Sequence, residues 1–479
     1  MNTARRRRRH RSCLSALATL AALGAALIGI RSASAGEATL STAQRAAVDG
    51  AVNAVLERTG VPSASVALVR DRTIVYAKAY GWAQLEPKRP ANAGMRYAVG
   101  SISKEFAAAA LLLLQERGAL SIDDPAGRYV AGLGPAAGVT IRSLLSHTSG
   151  VRDYWPQDYD PPEMLKPVSP HAIVARWADQ PLDFPTGTAW QYSNTGYTVA
   201  GLIAEQVAHE PLFEFLKTRI FTPLGMISVY DFDSAPLPAT DAAGYTRYAL
   251  GPPRPAAKEG RGWLFAAGEL AMTASDLARW DIALIERRLL TPASYRDLTT
   301  EVLLADGVGS AYALGLDVSL ESGRRVLKHG GEVGGFTADN VIYPDDGAAV
   351  VVLTNEDAAN AYDEIADALG KLMFVEDSPA DAAAVAAARR MFASLQQGRI
   401  DATLLSANAR SYFTPRALAD FGASLGPLGP PAAFELLRTG RRGGFITRTY
   451  HVTCGHRELL VIERSEPGGL VEQLTVSAR

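Results

Sequence analysis

Residues 101–117 read as a helix with no polar face, and this segment constrains the fold more than any other. It contains Phe106, then four alanines and four leucines in sequence, and stops at Gly118. A helix apolar all round must be enclosed by other elements, so it marks the centre of a domain. Its N-terminus begins Ser101-Ile102-Ser103-Lys104. Residues i and i+3 share a helix face, so a hydroxyl and an amine meet at the mouth of a buried helix. A serine hydroxyl is a poor nucleophile until a base takes its proton. Lysine becomes that base if burial discharges it, because desolvation disfavours the ammonium. The helix N-terminus adds N–H groups suited to a developing oxyanion. Alone, Ser-x-x-Lys also arises by chance.

The other elements follow from periodicity. Residues 39–59 read as a helix, 63–69 and 72–80 as a hairpin. Helices are expected at 139–147, with Thr140 as N-cap, at 195–218 and at 273–289, where Thr273 and Asp276 have capping-box spacing. Residues 150–187 form a long irregular excursion with one helix near 171–179, the mark of a site-lining loop. Strand character returns at 324–329, 336–343 and 348–354, with turns at Gly330-Gly331 and 345–347, before a helix at 361–374. The economical reading is one sheet built from both ends of the domain around a helical insertion. A linker-like break at 376–380 precedes helices at 381–397 and 415–424 and strands near 433–439, 444–453, 457–464 and 470–476.

Composition excludes several classes. At 48% hydrophobic, the chain buries a sizeable core. Two cysteines, Cys13 and Cys454, exclude a disulfide scaffold. The first 35 residues hold seven arginines and no acid; the rest carry 41 bases against 50 acids, a net of −9. That is no footprint for nucleic acid. The basic start, an uncharged run from Ser12 to Ile30 and Ala33-Ser34-Ala35 read as a cleavable secretory signal, residues 1–35. The protein is therefore expected to be exported, periplasmic or secreted. Left uncleaved, the segment is close to the ~20 residues of a membrane anchor.

Two further motifs carry polar chemistry. Tyr192-Ser193-Asn194 supplies a proton relay and an amide, and also fits a surface turn. Lys328-His329-Gly330-Gly331-Glu332 ends a strand; its glycines let a ligand approach the backbone, or form an ordinary turn. His147 suits a structural hydrogen bond at a helix end. Tyr154 and Trp155 suit either the mouth of a cleft or the core. His451, Cys454 and His456 do not share a strand face and lack a fourth ligand, so no metal is expected.

Taken together and in this order, Ser101-x-x-Lys104, Tyr192-x-Asn194 and the His329-x-Gly331 triplet resemble the serine beta-lactamase and penicillin-binding-protein superfamily. Leu144–Gly150, Phe184–Gly187 and Gly268–Ala278 resemble its esterase and D-aminopeptidase branch. The resemblance covers about residues 40–375. It implies an α/β, beta-lactamase-like fold over residues 36–376: an antiparallel sheet flanked by helices, with an all-helical insertion. It also implies a serine hydrolase with no cofactor, acting on a small-molecule or peptide substrate that could come from the cell wall. Ser101 would be the nucleophile, Lys104 its base, and Tyr192 the proton donor to the leaving group. Asn194 would orient the substrate amide; the N–H groups of Ser101 and Glu332 would hold the oxyanion beside Gly331. His329 stands where lysine is common, which turns the expectation from beta-lactams toward esters or peptides, D-residues included. A silent peptide- or cell-wall-binding module on the same fold, and a beta-lactamase, remain the alternatives. Residues 377–479 resemble small cystatin- or NTF2-like α+β modules. Such a domain could cap the cleft, pair two chains or be inert.

Overall fold

Seven antiparallel strands form the main sheet, and they come from both ends of the first 374 residues. The computed structural model describes residues 40–321, 323–374, 379–442 and 445–478. The expected signal segment and most of the linker lie outside the described residues. The strands are β1 (Ser63–Arg70), β2 (Thr73–Leu85), β3 (Lys88–Pro90), β4 (Asp317–Glu321), β5 (Arg324–Val333), β6 (Phe336–Tyr343) and β7 (Ala348–Thr354), in the order β3-β2-β1-β7-β6-β5-β4. The two halves join where β1 pairs with β7, Ala64 opposite Thr354. β6 and β7 are buried at every position. Central strands covered on both faces lose the alternation of a half-exposed strand, which explains the runs of Val, Ala and Leu. The β1–β2 turn uses Asp71 and Arg72, both at positive φ, as a two-residue hairpin requires.

Helices cover both faces. One carries α1 (Thr42–Thr59) and, after the sheet, a closing helix at Ala361–Met373; Val48, Val52, Ile365 and Leu369 pack there against Val66, Val350 and Val352. The other carries α2 (Ser103–Glu116), whose residues 103–114 are all buried, as an apolar-all-round helix must be. Around α2 lie α3 (Ile141–Leu145), α4 (Asn194–Ala208) and α5 (Ala274–Ile285). The closing helix is α6 (Ala361–Met373). Thr140 caps α3 by accepting from Ser143 N, and Thr273 caps α5 by accepting from Asp276 N. The Asp276 carboxylate does not return the favour; it accepts from Ser228 N instead.

Three expectations need correction. The helix expected over 195–218 stops at Ala208, because His209 takes a left-handed cap and Pro211 follows. Ser101 lies in a 3₁₀ turn, Gly100–Ile102, just ahead of α2. Gly330-Gly331 is no turn: β5 runs through it to Val333, and the reversal falls at Gly334-Gly335, with Gly335 at φ 87°. The C-terminal residues form α7 (Pro379–Leu395), α8 (Pro415–Leu425) and a second antiparallel sheet of β8 (Ala433–Arg442), β9 (Phe445–Cys454), β10 (Arg457–Ser465) and β11 (Val471–Ala478) in sequential order. They surround their own apolar cluster, which includes Phe392, Tyr450 and Val461.

Candidate active site

Two glycines press the Ser101 turn against β5. A Cβ on Gly100 would sit 2.6 Å from Glu332 N, and one on Gly331 would sit 1.9 Å from the Val99 carbonyl oxygen. Only a bare backbone permits this approach. It sets the two backbone segments side by side: the same added Cβ on Gly331 would lie 3.4 Å from Ser101 N. The Ser103 hydroxyl fixes the turn, donating to Gly100 O at 2.7 Å and accepting from Leu270 N at 3.0 Å.

Lys104 is fully buried beneath Ser101. Its Nζ donates to Ser101 Oγ at 3.0 Å, to Asn194 Oδ1 at 2.8 Å and to Ala267 O at 2.8 Å. Burial pushes its pKa down to about 7, against the opposing pull of Asp153. A large fraction of these amines is therefore uncharged at neutral pH, and a neutral amine can accept a proton. The Tyr192 ring lies 4.8 Å from the same Nζ, and its phenol is close enough to Ser101 to interact with the hydroxyl. Burial holds that phenol well above its ordinary pKa, so it carries its proton.

An aromatic box supports Tyr192 from behind. The His147 ring lies 4.1 Å from it, and its Nδ1 accepts from Ser193 N at 3.1 Å. His147 thus makes a hydrogen bond of the kind expected, and burial lowers its pKa well below 6.5. His329 Nδ1 donates to Gly330 O at 2.6 Å, so Nε2 accepts from Tyr312 OH at 2.9 Å. Burial, with Lys104 nearby, pushes His329 down to about 3, so the ring is neutral.

Over these groups opens a cleft of about 710 Å³, lined by Ser101, Tyr192, Asn194 and Glu332 among others. A serine, a buried amine, a phenol and two neighbouring backbone N–H groups can transfer an acyl group. Residues 48–372 match the Beta-lactamase family. The chain belongs to the beta-lactamase family. It is a serine hydrolase. It is 29% identical over 338 residues to penicillin-binding protein 4* of Bacillus subtilis, covering 64% of this chain and 72% of that protein. It is 28% identical over 333 residues to a D-aminopeptidase of Cereibacter sphaeroides, covering 68% of this chain but 63% of the relative. Among solved structures it resembles a D-stereospecific amidohydrolase from Streptomyces sp., with 28% identity and a TM-score of 0.60, over 67% of this chain and 97% of that one.

This beta-lactamase-family hydrolase places Ser101, Lys104, Tyr192, Asn194 and Glu332 together, as the motifs implied. Two details differ. Neither His329 nor Gly331 is among the cleft-lining residues: His329 stands behind Tyr192, and the space beside Gly331 is filled by Val99 rather than a ligand. The Asn194 amide is already engaged at both ends, accepting from Lys104 and donating to Asp153 Oδ2 at 3.1 Å. It aims the lysine. Tyr154 and Trp155 both line the cleft; Tyr154 is buried and donates to Trp263 O, whereas Trp155 is exposed at the mouth. Sequence reasoning missed Asp153, which accepts from Asn194 N and Thr195 N at the start of α4, and Glu259. A lone acid in an irregular stretch gives no periodic signal. Among the described residues no group of His, Cys, Asp or Glu could hold a metal.

Proposed function

We propose that the chain hydrolyses an amide or ester of a short peptide or amino acid, D-residues included, through an acyl-enzyme on Ser101. The observation that carries this reading is the fully buried Lys104 amine, 3.0 Å from Ser101 Oγ. Neutral Lys104 takes the hydroxyl proton onto Nζ, and Oγ bonds to the substrate carbonyl carbon. The oxygen of that carbonyl gains charge between the N–H groups of Ser101 and Glu332. Tyr192 gives its phenol proton to the leaving atom, the bond to that atom breaks, and Tyr192 recovers a proton from Lys104. Water then attacks the ester by the same route in reverse. The likeness to a D-aminopeptidase and a D-stereospecific amidohydrolase supports D-configured substrates. The neutral, buried His329 offers no charge to a substrate carboxylate, which argues against beta-lactams.

The basic and apolar N-terminus supports export with cleavage after Ala35. One experiment tests both parts: the exported protein is treated with a fluorophosphonate and weighed intact. The expected mass is residues 36–479 plus one label, mapped to Ser101, and Ser101→Ala takes none. Folded protein that stays unlabelled overturns the acyl-enzyme; an uncleaved mass overturns the processing.

A further inference from the structure

The cleft walls are acidic. Asp153, Glu259, Glu332 and Asp357 line the space above Ser101, and no lysine or arginine is among the described lining residues. Two of these acids are occupied by the protein. Asp153 accepts from α4, and Asp357 Oδ2 accepts from Gly335 N at 2.7 Å. Glu259 is different. It is 3% exposed, and its Oε1 accepts from Gly334 N at 2.7 Å and from the Tyr159 hydroxyl. Its Oε2 has no partner among the described residues. The neighbouring Lys258 does not supply one: its Nζ donates to the carbonyls of Asp233 and Glu259. A buried carboxylate oxygen held in place by its twin and left unpaired is prepared for a donor that arrives from outside.

The strand gives direction to this site. β5 passes from His329, whose ring lies 6.2 Å from Tyr192, through Glu332 to the Gly334 turn that holds Glu259. A leaving group protonated by Tyr192 occupies the Tyr192 side of the cleft; His329 itself lies behind that ring, outside the cleft lining. The acyl half then faces Glu259. Gly334 N lies two residues past Glu332 N, about 7 Å along an extended chain. That distance suits a charge carried next to the scissile carbonyl.

We propose that Glu259 receives the free α-ammonium of the acyl residue, so that the cleft selects an unblocked aminoacyl amide or ester over its N-acylated counterpart. This rests on the Ser101 reading and names the substrate class for the same cleft. Glu332 and Asp357 line the same cleft, so an arriving cation meets no competing lysine or arginine among the described lining residues.

The full chain is assayed on D-alanine p-nitroanilide and on N-acetyl-D-alanine p-nitroanilide. The free amine should be preferred by at least about 100-fold in kcat/KM. Glu259→Gln keeps an acceptor for Gly334 and Tyr159 but removes the charge. It should bring that ratio toward one, with the loss borne by the free-amine substrate. Equal rates in the unaltered protein, or a ratio that survives Glu259→Gln, overturn the proposal. Binding decides the matter without turnover: Ser101→Ala should bind D-alaninamide by calorimetry more tightly than N-acetyl-D-alaninamide, and the added Glu259→Gln should abolish the difference. Equal binding overturns the role of Glu259. Failure to label Ser101 overturns the acyl-enzyme alone, and the binding comparison then judges Glu259 by itself.

Discussion

Lys104 spends its life as a buried amine, and that has a measurable effect on stability. Its pKa is lowered to about 7 from 10.5 by burial. Below pH 7 both folded and unfolded chains hold the proton, and folding bears the full penalty of a buried ammonium. Between pH 7 and about 10.5 the unfolded chain binds more protons than the folded one, so stability rises with pH across this window. Lys104→Met removes the penalty. It should raise stability by roughly 1–2 kcal/mol at pH 7, with a gain that shrinks toward pH 10, while slowing acylation about 10²- to 10⁴-fold. Thermal melts at several pH values and stopped-flow labelling check both halves. A variant equally destabilised at every pH would contradict the assignment. This residue pair was legible in the sequence because i, i+3 spacing is local. Glu259 was not: its partners Gly334 and Tyr159 lie far along the chain, and only the folded turn brings them together.

Elements were readable where one period dominated. The apolar character of α2 announced its burial, and the Val-rich β7 announced a central strand. The misread parts share a cause. Gly330-Gly331 and Gly334-Gly335 carry the same turn signal, yet one pair serves a tertiary approach and the other the reversal. Local chemistry cannot tell a glycine needed for φ from one needed for a neighbour's carbonyl. The consequence is testable at Gly331. A methyl there would collide with Val99 O, which real contacts at 1.9 Å forbid. Gly331→Ala should part β5 from the Ser101 turn and misplace one oxyanion donor, costing about 10²–10³ in kcat. Circular dichroism should stay unchanged while Ser101 labelling slows; intact kinetics would show that the approach is dispensable.

At the scale of the whole molecule, the apolar clusters divide the chain. Two pack residues 40–373 against the first sheet, and a third packs residues 388–474 around the second. We propose that residues 36–376 and 377–479 are separate domains. Expressed alone, 36–376 should fold and hydrolyse an activated ester within about threefold of the full chain, since each part has its own core. A larger loss in kcat/KM would place the C-terminal residues at the cleft. The order of the sheet has one more outcome. β1 ends at Arg70 and β7 begins at Ala348, so their pairing closes a loop of about 280 residues, a contact of very high order. The serine is made early and Glu332 late, so during synthesis, and during any passage across a membrane, the nucleophile exists without its electrophile-holding partner. On the proposed acyl-enzyme mechanism a half-emerged polypeptide lacks one of its two oxyanion donors, and it becomes competent to attack only when its own far end has come home.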